Sequence, residues 1–233
     1  PLRLVGSEMC IRDRPKWDEK SLQGREFVQV KYLGEEQLLM AFQTAPRFHQ
    51  DYPTLRLIDM ILDNSVAGLI NLNLVERQAV RAAGCFPQSY NDHGAHYLYG
   101  IPKDGQSMEE VENLLLNQVE LVKKGEFADW ILPAVLNDFK KSQKENLESN
   151  PKRVELLRDS FLSFVDWEVM DQEIQDLEKV TKEDVVRVAN KYFGEDYVVG
   201  FRVDQQHDLP SIEKPKIDPL EIDPDKQLSL IHI

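Results

Sequence analysis

The sequence predicts an α+β domain of two layers, a largely antiparallel sheet of about five strands with helices packed on one face. Three observations predict it. Short β-type segments come in neighbouring pairs joined by brief polar turns, within residues 26–44 and 80–102. Apolar residues then fall at 3–4 spacing from about residue 108 to 192, the period of helices that each bury one stripe. A last β-type segment, Tyr197–Val203 (YVVGFRV), ends the order.

Each element has its own warrant. Glu26–Tyr32 and Glu36–Thr44 are strands about the short Gly34 turn, so they are expected to form a hairpin. Asp51 stands at a helix N-cap position with Pro53 in the first turn, and Leu55, Ile58, Ile61 and Leu62 make that helix's apolar stripe. Ala67–Glu76 is a second, short helix. Val80–Gln88 and Gly94–Pro102 pair across the polar turn Ser89–His93. Ser107 and Glu110 have capping-box spacing; Met108, Val111, Leu115, Val119 and Val122 share one face, and Gly125 supplies a C′ stop. Asp129–Glu148, Lys152–Phe164 and Glu168–Glu178 are three further helices. Thr181 and Asp184 open the last one, with Val185, Val188, Ala189 and Tyr192 as its buried stripe and Gly194 beyond its end.

Composition narrows the function classes. The 233 residues carry 28 Lys+Arg against 41 Asp+Glu, a net charge of −13. That balance argues against nucleic acid as a partner, because phosphate binding needs clustered bases. No apolar run reaches the roughly 18–20 residues of a membrane span. The ends differ in character from the rest. Residues 1–14 (PLRLVGSEMCIRDR) and 227–233 lack periodicity and read as non-native, adaptor-derived flanks, so the compartment stays open. Without them 25 bases face 39 acids, and Cys85 is the one cysteine left. Residues 204–226 hold Pro210, Pro215, Pro219 and Pro224 among acids and lysines, an extended linker or strap.

A reaction centre is not legible. His93 and His96 are the close histidine pair, but a turn and a strand start throw their side chains to opposite faces, so they read as surface turn histidines, with Asp92 a possible oxygen donor beside them. His49 and His207 read as solvated. Neither H-E-x-x-H nor H-x-x-E-H occurs, nor does G-x-S-x-G, a P-loop or G-x-G-x-x-G. Cys85, in Ala-Ala-Gly-Cys-Phe-Pro, reads as a small core residue. The pairs Glu35–Glu36 and Glu109–Glu110 fall at a turn and in a helix's first turn, where acids suit the macrodipole. Trp130, Trp167, Phe139, Phe161 and Phe164 read as core or interface. The expected set of catalytic, cofactor-binding and metal residues is therefore none.

Several phrases carry a resemblance. Residues 41–62 (AFQTAPRFHQDYPTLRLIDMIL), 67–80, 100–127 and 180–199 (VTKEDVVRVANKYFGEDYVV) resemble a non-catalytic domain of the insulinase-like, pitrilysin-type zinc metallopeptidases. Residues 214–227 resemble the linker after the second domain of large four-domain bacterial members. The resemblance implies a two-layer domain over residues 15–203, walling a substrate chamber in a clamshell enzyme that degrades peptides. Zinc in that family sits on the two His of H-x-x-E-H and a distant Glu of the catalytic domain, none of which has a counterpart here. Expected partners are thus a catalytic domain of the same chain or a partner subunit, and a peptide substrate, with zinc held outside this fragment. The alternatives are a motif-less homologue serving as a non-catalytic subunit or scaffold, and an unrelated acidic binding module. The acidic charge either lines the chamber or forms a solvated exterior.

Overall fold

The computed structural model describes residues 20–64, 67–166, 168, 172–205 and 213–215. The expected flank 1–14 and tail 227–233, and nearly all of the linker 204–226, lie outside these residues, as do Trp167 and His207. Five strands, β1 (Arg25–Tyr32), β2 (Gln37–Thr44), β3 (Ala82–Ser89), β4 (Gly94–Ile101) and β5 (Tyr197–Asp204), form one sheet in the order β1-β5-β2-β4-β3. Three neighbouring pairs are antiparallel and one, β1 with β5, is parallel.

The helices lie on one side of the sheet. They are α1 (Tyr52–Leu62), α2 (Met108–Lys124), α3 (Ile131–Glu148), α4 (Asn150–Ser163), α5 (Glu173–Glu178) and α6 (Lys182–Tyr192) among the described residues. Alternation decides which side: Leu38, Met40 and Phe42 of β2, His96 and Leu98 of β4, and Tyr197, Val199 and Phe201 of β5 all point one way and are buried. Against them pack α2 on β2 and β4, α6 on β2, and α1 on β3. Helix α2 comes so close that a Cβ at Gly100 would stand 2.4 Å from Val111 Cγ1.

The expected hairpin of β1 and β2 does not form, since β5 lies between them. The reason is the core. On the helix side β1 offers Gln29 and Lys31 where a neighbour of Leu38 and Met40 must be apolar, whereas β5 offers Val199 and Phe201. Strand β1 is therefore displaced to the edge. The link Leu33–Glu36 has to span two strand spacings, about 10 Å, which four residues reach easily. It is tied down on β5: Gly34 N–H donates to Asp204 at 3.1 Å and Arg202 Nε donates to the Glu35 carbonyl at 2.7 Å.

Local signals fared unevenly. Thr181 and Asp184 make a reciprocal capping box, and Gly125 ends α2 at φ 68°. Ser107 accepts from Glu110 N–H, but the Glu110 side chain turns to Gln106, so that box is only half made. The expected short helix at Ala67–Glu76 is a five-residue π-helical segment, Asn71–Val75. Helix α4 ends at Phe164, which takes a left-handed φ of 57°.

The close approach at Gly100 generates a test. Gly100→Ala should cost about 1–3 kcal/mol through overpacking against Val111. Urea unfolding measures it, and a loss under about 0.5 kcal/mol would show that α2 shifts freely over the sheet.

Candidate functional site

Three features stand out from the packed core: a buried carboxylate that gathers charges from α6, a mixed donor cluster under α1, and two apolar surfaces left uncovered.

The first is Asp51. It sits at the start of α1 but makes no side-chain cap; its carboxylate, 1% exposed, turns to α6 instead. There it accepts from Lys191 Nζ at 2.7 Å, Tyr192 Oη at 3.0 Å and Arg187 Nη1 at 3.1 Å. Its own backbone N–H donates to His49 Nδ1 at 3.0 Å, so His49 is tied to this corner rather than freely solvated. Three donors outbid one backbone N–H, which is why the cap reading fails. Burial opposes the Asp51 charge, yet the bonds from Lys191, Tyr192 and Arg187 outweigh it and hold the pKa at about 2. Beside this corner an open cleft of 440 Å³ runs past Arg47, Phe48, Tyr52, Glu173 and Arg187. Several of its charges are already engaged: Lys179 with Asp176, Arg187 with Asp184, and Glu173 with the neighbouring Arg56.

A second buried carboxylate, Glu112 of α2, anchors the edge strand. Arg25 binds it through both Nε and Nη2 at 2.7 Å, and Tyr197 Oη donates at 2.8 Å. Burial works against the charge on Glu112, but these bonds hold its carboxyl below the usual range. Burial and that carboxylate together push the Tyr197 phenol up to about 12.

The second feature corrects the histidine reading. His93 is exposed, as expected of a turn residue, but His96 is 1% exposed and faces the helices. Its Nε2 lies 3.0 Å from Asp59 Oδ1, and Cys85 Sγ lies 3.4 Å from the same oxygen. The Cys85 N–H donates to Asp63 at 2.9 Å. Burial first, then the charges of Asp59 and Asp63, push the Cys85 thiol well up, so it is a protonated core thiol and not a nucleophile. In the sequence Cys85 and His96 stand apart, and nothing local links them. Asp59, the residue that joins them, carried no signal of its own.

The third feature is apolar surface. Among the described residues no helix covers the far side of the sheet, where Val28, Val30, Tyr32, Leu39 and Phe86 are exposed and Phe86 stacks on Tyr97 at 5.1 Å. Within the five strands that side carries just Glu26, Arg202 and Asp204 as charges. Helix α4, which packs mainly on α3, turns a stripe of Val154, Leu157, Phe161 and Phe164 to solvent. Spacings of 3 and 4 put Val154, Leu157 and Phe161 on one helical face, Phe164 follows at the left-handed C-cap, and both phenylalanines are 78% exposed. Phe139 is core, while Phe161, Phe164 and Trp130 are surface. Of the carboxylate pairs, Glu35 binds Arg81 at 2.6 Å and Glu109–Glu110 sit in the exposed first turn of α2.

The Asp51 geometry carries a pH prediction. A carboxylate depressed from 3.8 to about 2 adds stability that is whole above pH 4 and is lost as pH falls toward 2. Asp51→Asn should therefore cost about 2 kcal/mol at pH 7, discounted because Arg187 and Lys191 are half exposed and can rehydrate. In denaturant melts the gap between the two proteins should close between pH 4 and pH 2; a gap that stays constant would rule the ion pairs out as its source.

Among curated proteins no sequence match is found. A protease from Helicobacter pylori superposes with a TM-score of 0.77 at 20% identity, over 82% of this chain and 47% of its own. A peptidase M16 inactive domain from Pseudomonas fluorescens gives 0.69 at 14%, over 84% and 48%. The periplasmic protease PqqL from Escherichia coli gives 0.61 at 13%, over 77% and only 21% of its length. At such identities the likeness is one of fold, and the chain spans about half or less of each of these proteins. Residues 12–138, more than half of the chain, match the peptidase M16 inactive domain, and the chain belongs to that family.

Proposed function

We propose that this chain is the non-catalytic domain of an insulinase-type bacterial zinc metalloendopeptidase that degrades peptides, and that it walls a substrate chamber beside a catalytic domain. The observation that carries the reading is a pairing of presence and lack. The fold and family are those of the peptidase, while H-x-x-E-H occurs nowhere in the 233 residues. The residues present do not fit the family's catalytic zinc, so no hydrolytic step is assigned to them. In this reading zinc and the general base belong to the catalytic domain, in the same chain or in a partner subunit.

The uncovered surfaces give that role a physical form. A sheet side rich in Val, Tyr and Phe with few charges suits the wall of a chamber that takes extended peptides. The acids then belong to the helical exterior, where they keep the domain in solution, and do not select basic substrates. The stripe on α4 is the surface for docking against the rest of the enzyme.

Two outcomes test this. The purified chain should not cleave a quenched fluorogenic peptide, with or without added zinc; chelator-sensitive turnover would overturn the non-catalytic assignment. In sedimentation velocity the chain should self-associate at high concentration through its unpartnered stripe, and Leu157→Lys with Phe161→Lys should restore a monomer. A wild-type chain that stays monomeric throughout would remove α4 as a docking surface.

A further inference from the structure

Asp59, Cys85 and His96 come from three different elements, α1, β3 and β4, yet their donor atoms lie within 4.8 Å of one another. The register explains the convergence. In the β3–β4 pair Cys85 opposes Leu98 and Pro87 opposes His96, so Cys85 and His96 are diagonal neighbours on the side that faces the helices. Helix α1 crosses above them and lowers Asp59 between the two. Phe193 closes one side, its ring set edge-on to His96 at 5.1 Å. The Asp59 side chain is 19% exposed, so the cluster is sealed from below and reachable from the α1 side.

We propose that Asp59 Oδ1, Cys85 Sγ and His96 Nε2 form a three-ligand site for a zinc-class divalent ion, a structural centre that pins α1 to the β3–β4 hairpin.

Donor chemistry selects the ion. One sulfur, one imidazole nitrogen and one carboxylate oxygen suit Zn²⁺ and its neighbours, whereas Mg²⁺ and Ca²⁺ take all-oxygen shells. Spacing agrees: around a tetrahedral Zn²⁺ such ligands stand about 3.3–3.6 Å apart, from bond lengths of about 2.0–2.3 Å. Here the Asp59 oxygen is 3.0 Å from the His96 nitrogen and 3.4 Å from the Cys85 sulfur, and the Cys85–His96 pair lies within 4.8 Å, so an ion would draw the three donors together by a few tenths of an ångström to about an ångström. Charge agrees as well. Binding releases the Cys85 proton to solvent, and the thiolate and carboxylate then cancel the two positive charges of the ion. A neutral assembly is what a buried position requires. Three protein ligands leave the fourth position to water.

The same geometry limits the affinity. With Nε2 on the metal, the imidazole proton sits on His96 Nδ1, which is buried and has no hydrogen-bond partner among the described residues. Histidines in zinc centres donate that proton to a carboxylate or carbonyl, and loss of such a partner weakens binding about 10–100-fold. The site should therefore bind zinc more weakly than a histidine-backed structural centre. It is separate from the catalytic zinc of the proposed function, which uses none of these 233 residues.

The test uses the full chain carrying Cys10→Ser, so that Cys85 is its sole thiol. Anaerobic titration with Co²⁺ should produce a thiolate-to-cobalt charge-transfer band and tetrahedral d–d bands that saturate at a single equivalent and are displaced by Zn²⁺. Zn²⁺ at about 100 times its Kd should raise Tm by about 5–10 °C. Cys85→Ser, close to isosteric, should lose the charge-transfer band and the Tm rise, and Asp59→Asn should weaken binding at least tenfold. A folded Cys10→Ser chain without the band, or a band that survives Cys85→Ser, would overturn the site. Should Cys85→Ser fail to fold, the band and Tm shift of the parent chain decide alone. Failure here leaves the non-catalytic reading intact, because that reading is tested by peptide cleavage.

Discussion

Strand β5 is the piece on which the rest of the architecture leans. It is the last regular element described, yet it pairs with β1 on one side and β2 on the other, so neither half of the sheet is complete without it. Its Tyr197, Val199 and Phe201 meet Phe42, Met40 and Leu38 across the centre of the core, and Phe42 touches both Tyr197 and Phe193. Tyr197 also reaches Glu112, through which Arg25 fastens the edge strand to α2. Contacts between residues so far apart in the chain close a long loop, an entropic cost that their burial has to offset.

Much of the layout was legible because it is written locally. Alternation marks β2 and β5, 3–4 spacing marks α2 and α6, and Thr181, Asp184 and Gly125 set helix ends where expected. What was not legible depends on partners distant in sequence. A short turn at Gly34 argues for a hairpin, and only the arrival of Val199 and Phe201 displaces β1 from the side of β2. Asp51 has the residue type and place of an N-cap, and nothing nearby announces that Arg187, Lys191 and Tyr192 will claim it. The sequence places His96 at the surface, and that it is buried, with Asp59 meeting it there, is a matter of how α1 crosses the hairpin. The Phe161 and Phe164 pair shows the opposite limit: helical spacing identifies an apolar stripe without saying whether this domain or another surface covers it.

Placed together, these features describe a domain with a division of labour among its surfaces. Its charge resides on the helices and loops, its reactive-looking thiol and histidine are buried beside one carboxylate, and its sheet turns a plain apolar side outward. Two buried carboxylates, Asp51 and Glu112, do equivalent structural work at different places, each drawing cations from a remote element and fixing it.

The parallel pairing of β1 and β5 has a mechanical consequence. The chain enters β1 at Arg25 and leaves β5 at Asp204, and because the two strands run the same way these points lie at opposite ends of the sheet, about 23 Å apart. Tension on the flanking chain would therefore pull the two strands past one another lengthwise. All eight paired positions from Arg25 to Tyr32 share such a load at once, where a hairpin would peel open bond by bond. Single-molecule pulling on the flanking chain would register the pair as a stiff link that gives way in one abrupt rupture.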